Sequence, residues 1–137
     1  MKRIFLIAAM ILIAEFTFGQ TLQKGALVGL HKIAPVLAPG VSMDQYLTFI
    51  KNKLIPAYEK NYPGLKCFLL KSKRGECANC TILVFLFESE AARDKYFKSD
   101  GDYTSSGLEG KKNMQSVLDE VSRMDQSKEV YTDYVVQ

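Results

Sequence analysis

The chain has 137 residues, with 18 Lys and Arg against 15 Asp and Glu, three Cys, one His and no Trp. That is the length of one domain, and a net charge of +3 spread along the whole chain excludes the clustered basic face that nucleic acid requires. No low-complexity tract or internal repeat interrupts it.

The first residues read as an export signal. Met1, Lys2 and Arg3 form a short basic start, Ile4 to Ile13 is almost wholly apolar, and Thr17 and Gly19 place small residues where a signal peptidase cuts. The apolar run is broken by Glu15 and is shorter than the ~20 residues a spanning helix needs. The expectation is a signal peptide over residues 1–19 and a single domain over 20–137, starting at Gln20 and exported to the periplasm or secreted, with no membrane association after cleavage. Removing Lys2, Arg3 and Glu15 leaves 16 basic and 14 acidic residues in 118, a net charge of +2. A domain of that size buries roughly two-thirds of its unfolded surface, enough for a proper core.

Gly25 to Ala34 has the alternation of a strand, with Leu27, Gly29, His31 and Ile33 on one face. Pro35 and the pair Pro39-Gly40 end it. Ser42 and Gln45 form a capping box for a helix whose apolar stripe is Met43, Tyr46, Leu47, Ile50, Leu54, Ala57 and Tyr58. Pro56 lies inside that stripe and its ring opposes the carbonyl of Asn52, so a kink or break is expected there. Tyr62-Pro63-Gly64 stops the helix.

A hairpin follows. Leu65, Cys67 and Leu69 alternate with Lys66, Phe68 and Leu70, the turn falls within Ser72–Asn79 with Gly75 at positive φ, and Thr81 to Phe87 is apolar on both faces. Ser89 caps a short helix, Glu90–Phe97. Lys98 to Gly107 is polar and glycine-containing and reads as a loop. Lys111 to Met124 is a second amphipathic helix and Glu129 to Val136 the last strand. The order βαββαβ defines an α+β, ferredoxin-like fold: a four-stranded antiparallel sheet with its helices on one face. Helices can cover only one side of such a sheet. The apolar far side of the second and third strands then calls for a partner, and a second copy related by a two-fold axis is the simplest one. A homodimer packed through the sheet face is expected.

The stretch Tyr62-Pro-Gly-Leu-Lys, then Leu69-Leu-Lys, Arg74-Gly-Glu and Phe87-Glu-Ser-Glu-Ala-Ala-Arg-Asp-Lys-Tyr-Phe97, resembles small exported bacterial proteins of the dimeric α/β-barrel superfamily. That group includes antibiotic-biosynthesis-type and haem-degrading monooxygenases and muconolactone-isomerase-like enzymes. The resemblance spans nearly the whole mature chain and implies the fold and the dimer; its members differ in chemistry. The haem-degrading branch uses an Asn, Trp and His constellation, which a chain without Trp does not carry. No catalytic residue of a characterised branch matches a position here.

Four features carry candidate chemistry. Cys77-Ala-Asn-Cys80 precedes a strand in a hairpin turn, whereas thioredoxin-type pairs sit at a helix N-terminus. A structural disulfide is the expected role, with dithiol redox chemistry the alternative. Cys67, mid-strand, reads as a small buried apolar residue. A metal site needs about four ligands, which the turn cysteines and one distant His do not supply, so neither metal nor cofactor is expected. His31 shares its face with Gly29, whose missing side chain leaves room, and is the candidate for a general base or a haem ligand; a lone His on an apolar strand face is more often a hydrogen-bonded core or interface residue. The tyrosines are spaced as core and rim residues or as the lining of a pocket for a planar ligand, with His31, Gly29 and Tyr46 the pocket candidates. Two readings stay open: an exported dimer that binds a small apolar molecule or a protein, and a cofactor-independent monooxygenase or isomerase.

Overall fold

The central strand of the sheet, β1 (Leu27–Ile33), lies between β3 (Thr81–Phe87) and β4 (Val130–Val135), and β2 (Lys66–Lys71) adds to the far side of β3. All three pairings in this order, β2-β3-β1-β4, are antiparallel. In this computed structural model the described residues are 22–77, 80–128 and 130–137, so the expected leader, Gln20, Ala78, Asn79 and Glu129 lie outside them.

Register decides which side chains meet. Gly29 lies opposite Phe85 on one side and Asp133 on the other; His31 lies between Leu83 and Tyr131; Cys67 faces Phe85. Alternation then puts all of these on the helix side of the sheet. There Leu27, Leu83, Phe85 and Phe87 pack with Tyr46, Ile50, Leu54, Tyr62 and Met114 in one continuous core.

The first helical segment starts as its cap dictates. Gln45 N donates to Ser42 Oγ (3.2 Å) and Ser42 N donates back to Gln45 Oε1 (2.8 Å), opening α1 (Met43–Phe49). The disturbance expected from Pro56 takes the form of a π turn, Ile50–Leu54, directly ahead of α2 (Ile55–Asn61). Ile55 N–H reaches back five residues to Ile50 O, and Pro56, which has no N–H to give, follows directly on that widened turn. The helix therefore continues past its proline.

The second helical half differs from the sequence reading. The helix after β3 is shorter than expected: α3 covers Glu90–Asp94, with Ser89 Oγ accepting from Ala92 N at 3.2 Å. The stretch expected as loop up to Gly107 already turns helical at Ser105. Thr104 Oγ1 accepts from Gly107 N (3.1 Å) and opens α4 (Ser105–Asn113); Met114 interrupts, and α5 (Gln115–Met124) completes the segment. Gly107 and Gly110 suggest a loop in sequence, yet here they are contact points. A methyl group on Gly107 would run into the Tyr96 carbonyl oxygen, and one on Gly110 would stand 2.8 Å from Asn61 O.

The result is the ferredoxin-like α+β fold, a four-stranded antiparallel sheet with its helices on one face. On the other face Phe68, Leu70, Val130 and Tyr134 are exposed. Among the described residues no helix is long and apolar enough to cross a membrane.

Candidate functional site

β1 delivers His31 and Gly29 to the helix side of the sheet, and β4 delivers Tyr131 and Asp133 beside them. The imidazole packs on Phe85 (centroids 4.2 Å apart) and stacks with Tyr131 (5.6 Å, 19° between planes). Gly29 leaves the floor between His31 and Asp133 bare. The point where its Cβ would stand is 2.8 Å from Asp133 Oδ1 and 3.4 Å from His31 Nε2.

Arg93 enters from α3. Only 8 % of the residue is exposed, so its charge must be met internally. Nη2 lies 3.2 Å from Asp133 Oδ2. Nη1 donates to Phe97 O (3.0 Å), to Lys98 O (2.7 Å) and to Asp94 Oδ1 (3.2 Å), and the guanidinium sits 5.5 Å from the Phe97 ring centroid. Arg93 thus ties edge strand β4 to the turn that begins the segment Lys98–Thr104. That segment closes over the site, with Gly101 lying directly against the Tyr131 hydroxyl and Tyr103 completing the wall.

These groups line a partly open cavity of ≈ 160 Å³. Its walls are mostly rings: Tyr58, Phe85, Phe87, Phe97, Tyr103 and Tyr131. Its polar groups are His31, Asp133 and Arg93. Aromatic walls with few convergent polar groups are the usual makeup of a small-molecule site.

The structure brings His31 and Gly29 together as the floor and places Tyr46 elsewhere. Tyr46 lines a second hollow with Ile50, Leu54 and Leu118, which shares Tyr58 with the first. Of the other tyrosines, Tyr58, Tyr103 and Tyr131 line the main cavity, Tyr62 and Tyr96 pack edge to face in the core (5.3 Å), and Tyr134 lies on the outer sheet face. Burial, reinforced by nearby Tyr103, holds the Tyr62 hydroxyl above its ordinary titration range, and that hydroxyl donates to Gly107 O at 3.2 Å. Sequence reasoning missed Arg93 and Asp133. The available signal was a charge on an inward-facing position: Asp133 falls in the alternating series Tyr131, Asp133, Val135, and Arg93 follows Ala92 on the packed side of a five-residue helix.

The cysteines lie apart from this cavity's lining. Cys77 and Cys80 are placed for a disulfide across the hairpin tip, with Cα atoms 5.5 Å apart. Ser72 braces the tip, its hydroxyl donating to Cys77 O and its N–H to Cys80 O (2.9 Å), and Gly75 has φ 102°. So short a loop restrains the unfolded chain only modestly. Cys77→Ser in the oxidised protein is expected to lower stability by about 2 kcal/mol, read from urea midpoints. A loss of ligand affinity instead of stability would point to the redox role.

Cys67 is buried mid-strand and free. Burial, with the Glu59 carboxylate adding to it and Lys66 opposing it, pushes its thiol up to about 12. Glu59 also accepts the Cys67 N–H at 3.0 Å. The folded state therefore favours the neutral thiol. This contribution is fully present below the unfolded thiol's pKa, roughly 8.5, and is lost as pH rises through about 12. Cys67→Ala is expected to flatten the fall in stability across that alkaline window, measured by urea melts at successive pH values. An unchanged slope would mean the thiolate is no less welcome in the fold than in the unfolded chain. Among the described residues no group of three or more His, Cys, Asp or Glu is clustered to hold a metal ion.

Among solved structures the chain is similar to a NIPSNAP family protein from Agrobacterium tumefaciens, at 13% identity over 80% of this chain and 91% of that one, with a TM-score of 0.54. A second NIPSNAP family protein of unknown function from the same organism gives 12%, 83%, 92% and 0.53. A conserved protein from Methanosarcina mazei gives 9%, 82%, 93% and 0.50. At these identities the likeness is one of fold, and it agrees with the α/β-barrel resemblance at that level. No protein-family model and no curated protein matches the chain.

Proposed function

We propose that this chain is an exported homodimer that holds a small, largely apolar, single-ring ligand in the cavity beside His31. The observation that carries the reading is the aromatic-walled cavity itself. Its ≈ 160 Å³ is close to the volume of about 150 Å³ at which a dry protein cavity accepts benzene. Export is supported by the pattern of residues 1–19 and by the cysteine pair at disulfide distance.

The dimer is supported by the outer sheet face. Leu70 is 51 % exposed and Tyr134 53 %, with Phe68 and Val130 beside them. Such a face loses ~25 cal/mol for each Å² of apolar surface left in water. Native mass spectrometry of the exported protein is expected to give a dimer of chains beginning at Gln20, and a monomer when Phe68→Asp and Leu70→Asp are combined. A wild-type monomer at micromolar concentration would overturn the dimer. Toluene is expected to bind the wild type and to shift the resonances of His31 and Phe85; absence of any such shift at saturation would overturn the cavity reading.

A second reading is an enzyme, an isomerase or cofactor-independent oxygenase in which His31 takes a proton from the bound ring compound. It is favoured by His31 and Asp133 flanking one bare point over Gly29. His31→Ala separates the two. Unchanged binding with no turnover in either form counts against the enzyme; loss of a measurable wild-type turnover supports it.

A further inference from the structure

We infer that the ligand of this cavity is a neutral ring compound carrying a hydrogen-bond donor, a hydroxyl or ring N–H, which it gives to Asp133 Oδ1. The inference rests on the cavity reading above and narrows it to a ligand class. Asp133 presents its two oxygens differently. Oδ2 is held by Arg93 Nη2 at 3.2 Å, whereas Oδ1 stands over Gly29 and has no hydrogen-bond partner among the described residues. The side chain is 28 % exposed, so Oδ1 borders the cavity rather than open solvent on every side. Oδ2 is already paired with the guanidinium, and a carboxylate offers acceptors and no donor. A ligand atom that hydrogen-bonds to Oδ1 must therefore donate.

The same arrangement argues against an anionic ligand. The cation of the site is already engaged by two carboxylates and by the Phe97 and Lys98 carbonyls, so an incoming carboxylate meets the charge of Asp133 first. The ring walls take the rest of the molecule. Gly29 is what makes the floor accessible, since any Cβ there would stand 2.8 Å from Oδ1 and cover it.

Phenol and toluene differ by one hydroxyl at nearly equal size, and benzoate adds the charge. Titrations of the intact protein with each, followed by NMR, test the inference. Wild type is expected to bind phenol at least as tightly as toluene, although toluene is the more apolar, and not to bind benzoate. In Asp133→Asn the amide oxygen turns to Arg93 and its NH₂ replaces Oδ1 at the cavity, so the phenol-to-toluene affinity ratio is expected to fall about tenfold. Gly29→Ala covers the same oxygen while keeping both charges of the ion pair and is expected to lower the ratio likewise, which keeps the test open if the first variant unfolds. Toluene preferred over phenol by wild type, with the ratio unchanged in the variants, would overturn the donor inference and leave the cavity reading standing. Benzoate binding more tightly than phenol would also overturn it. Binding of none of the three would remove the cavity reading and this inference together.

Discussion

Gly107→Ala is expected to destabilise the protein by about 3 kcal/mol or more, against the sign that helix propensity predicts. Alanine in place of glycine inside a helix ordinarily gains up to ~1 kcal/mol. Gly107, however, is buried in the first turn of α4, where its Cα rests on the backbone of the turn after α3. A Cβ there would overlap the Tyr96 carbonyl oxygen and stand 3.1 Å from the Tyr103 ring. The obstacle is backbone, which cannot rotate away as a side chain can. It is held in turn by Thr104 N–H, which donates to that same Tyr96 oxygen at 3.0 Å, and by Thr104 Oγ1, which donates to Lys95 O at 2.6 Å. Relief requires α4 to lift from the turn, which also lengthens the Tyr62 hydroxyl bond to Gly107 O. Ser106→Ala, exposed in the same turn of helix, is the control and is expected to be neutral or slightly stabilising. Urea midpoints of the three proteins decide the matter. A Gly107→Ala protein as stable as wild type would mean that α4 does not pack on the Tyr96 turn.

The second large effect is expected at Arg93. Arg93→Met retains an apolar stem but removes the donors that satisfy Phe97 O, Lys98 O and the Asp133 carboxylate. The buried guanidinium makes three such contacts, each worth about 1 kcal/mol, so its removal is expected to cost about 3 kcal/mol. Lys53 gives the contrast. Its bond to Glu120 is shorter, 2.9 Å, but the two side chains are 54 % and 41 % exposed, so Lys53→Met is expected to change stability by no more than about 1 kcal/mol. Arg93→Lys should fall between, since one ammonium cannot span two carbonyls and a carboxylate in the guanidinium's fork geometry. Chemical denaturation of the three variants measures the series. Equal losses at Arg93 and Lys53 would show that burial does not set the value of these pairs.

Both predictions turn on residues whose importance the chain order conceals. The strands were legible because alternation is a local property: Leu27, Gly29 and His31 share a face in any strand, and Leu83, Phe85 and Phe87 do so too. The helix starts at Ser42 and Ser89 and the positive φ of Gly75 were legible for the same reason, since a cap or turn needs only its neighbours. The start of α4 was not. Glycine within a polar stretch signals a loop unless something packs closely against it, and what packs against Gly107 and Gly110 is the backbone of Tyr96 and Asn61, distant in sequence.

The candidate site divides along the same line. Residue patterns along the chain are enough for the βαββαβ order, the apolar far face of the sheet, and a histidine two residues from a glycine on an inward face. They could not determine the partners of that histidine, because these depend on which strand lies next to β1. It takes the folded sheet to pair β4 with β1, which sets Asp133 opposite Gly29 and Tyr131 opposite His31. Only the packing of α3 on the sheet then brought Arg93 to Asp133. The difference is one of range: local hydrogen bonding and side-chain alternation act over a few residues and are written in the chain, whereas a site is made by the pairing of edges and the docking of helices, which bury surfaces that no short segment possesses.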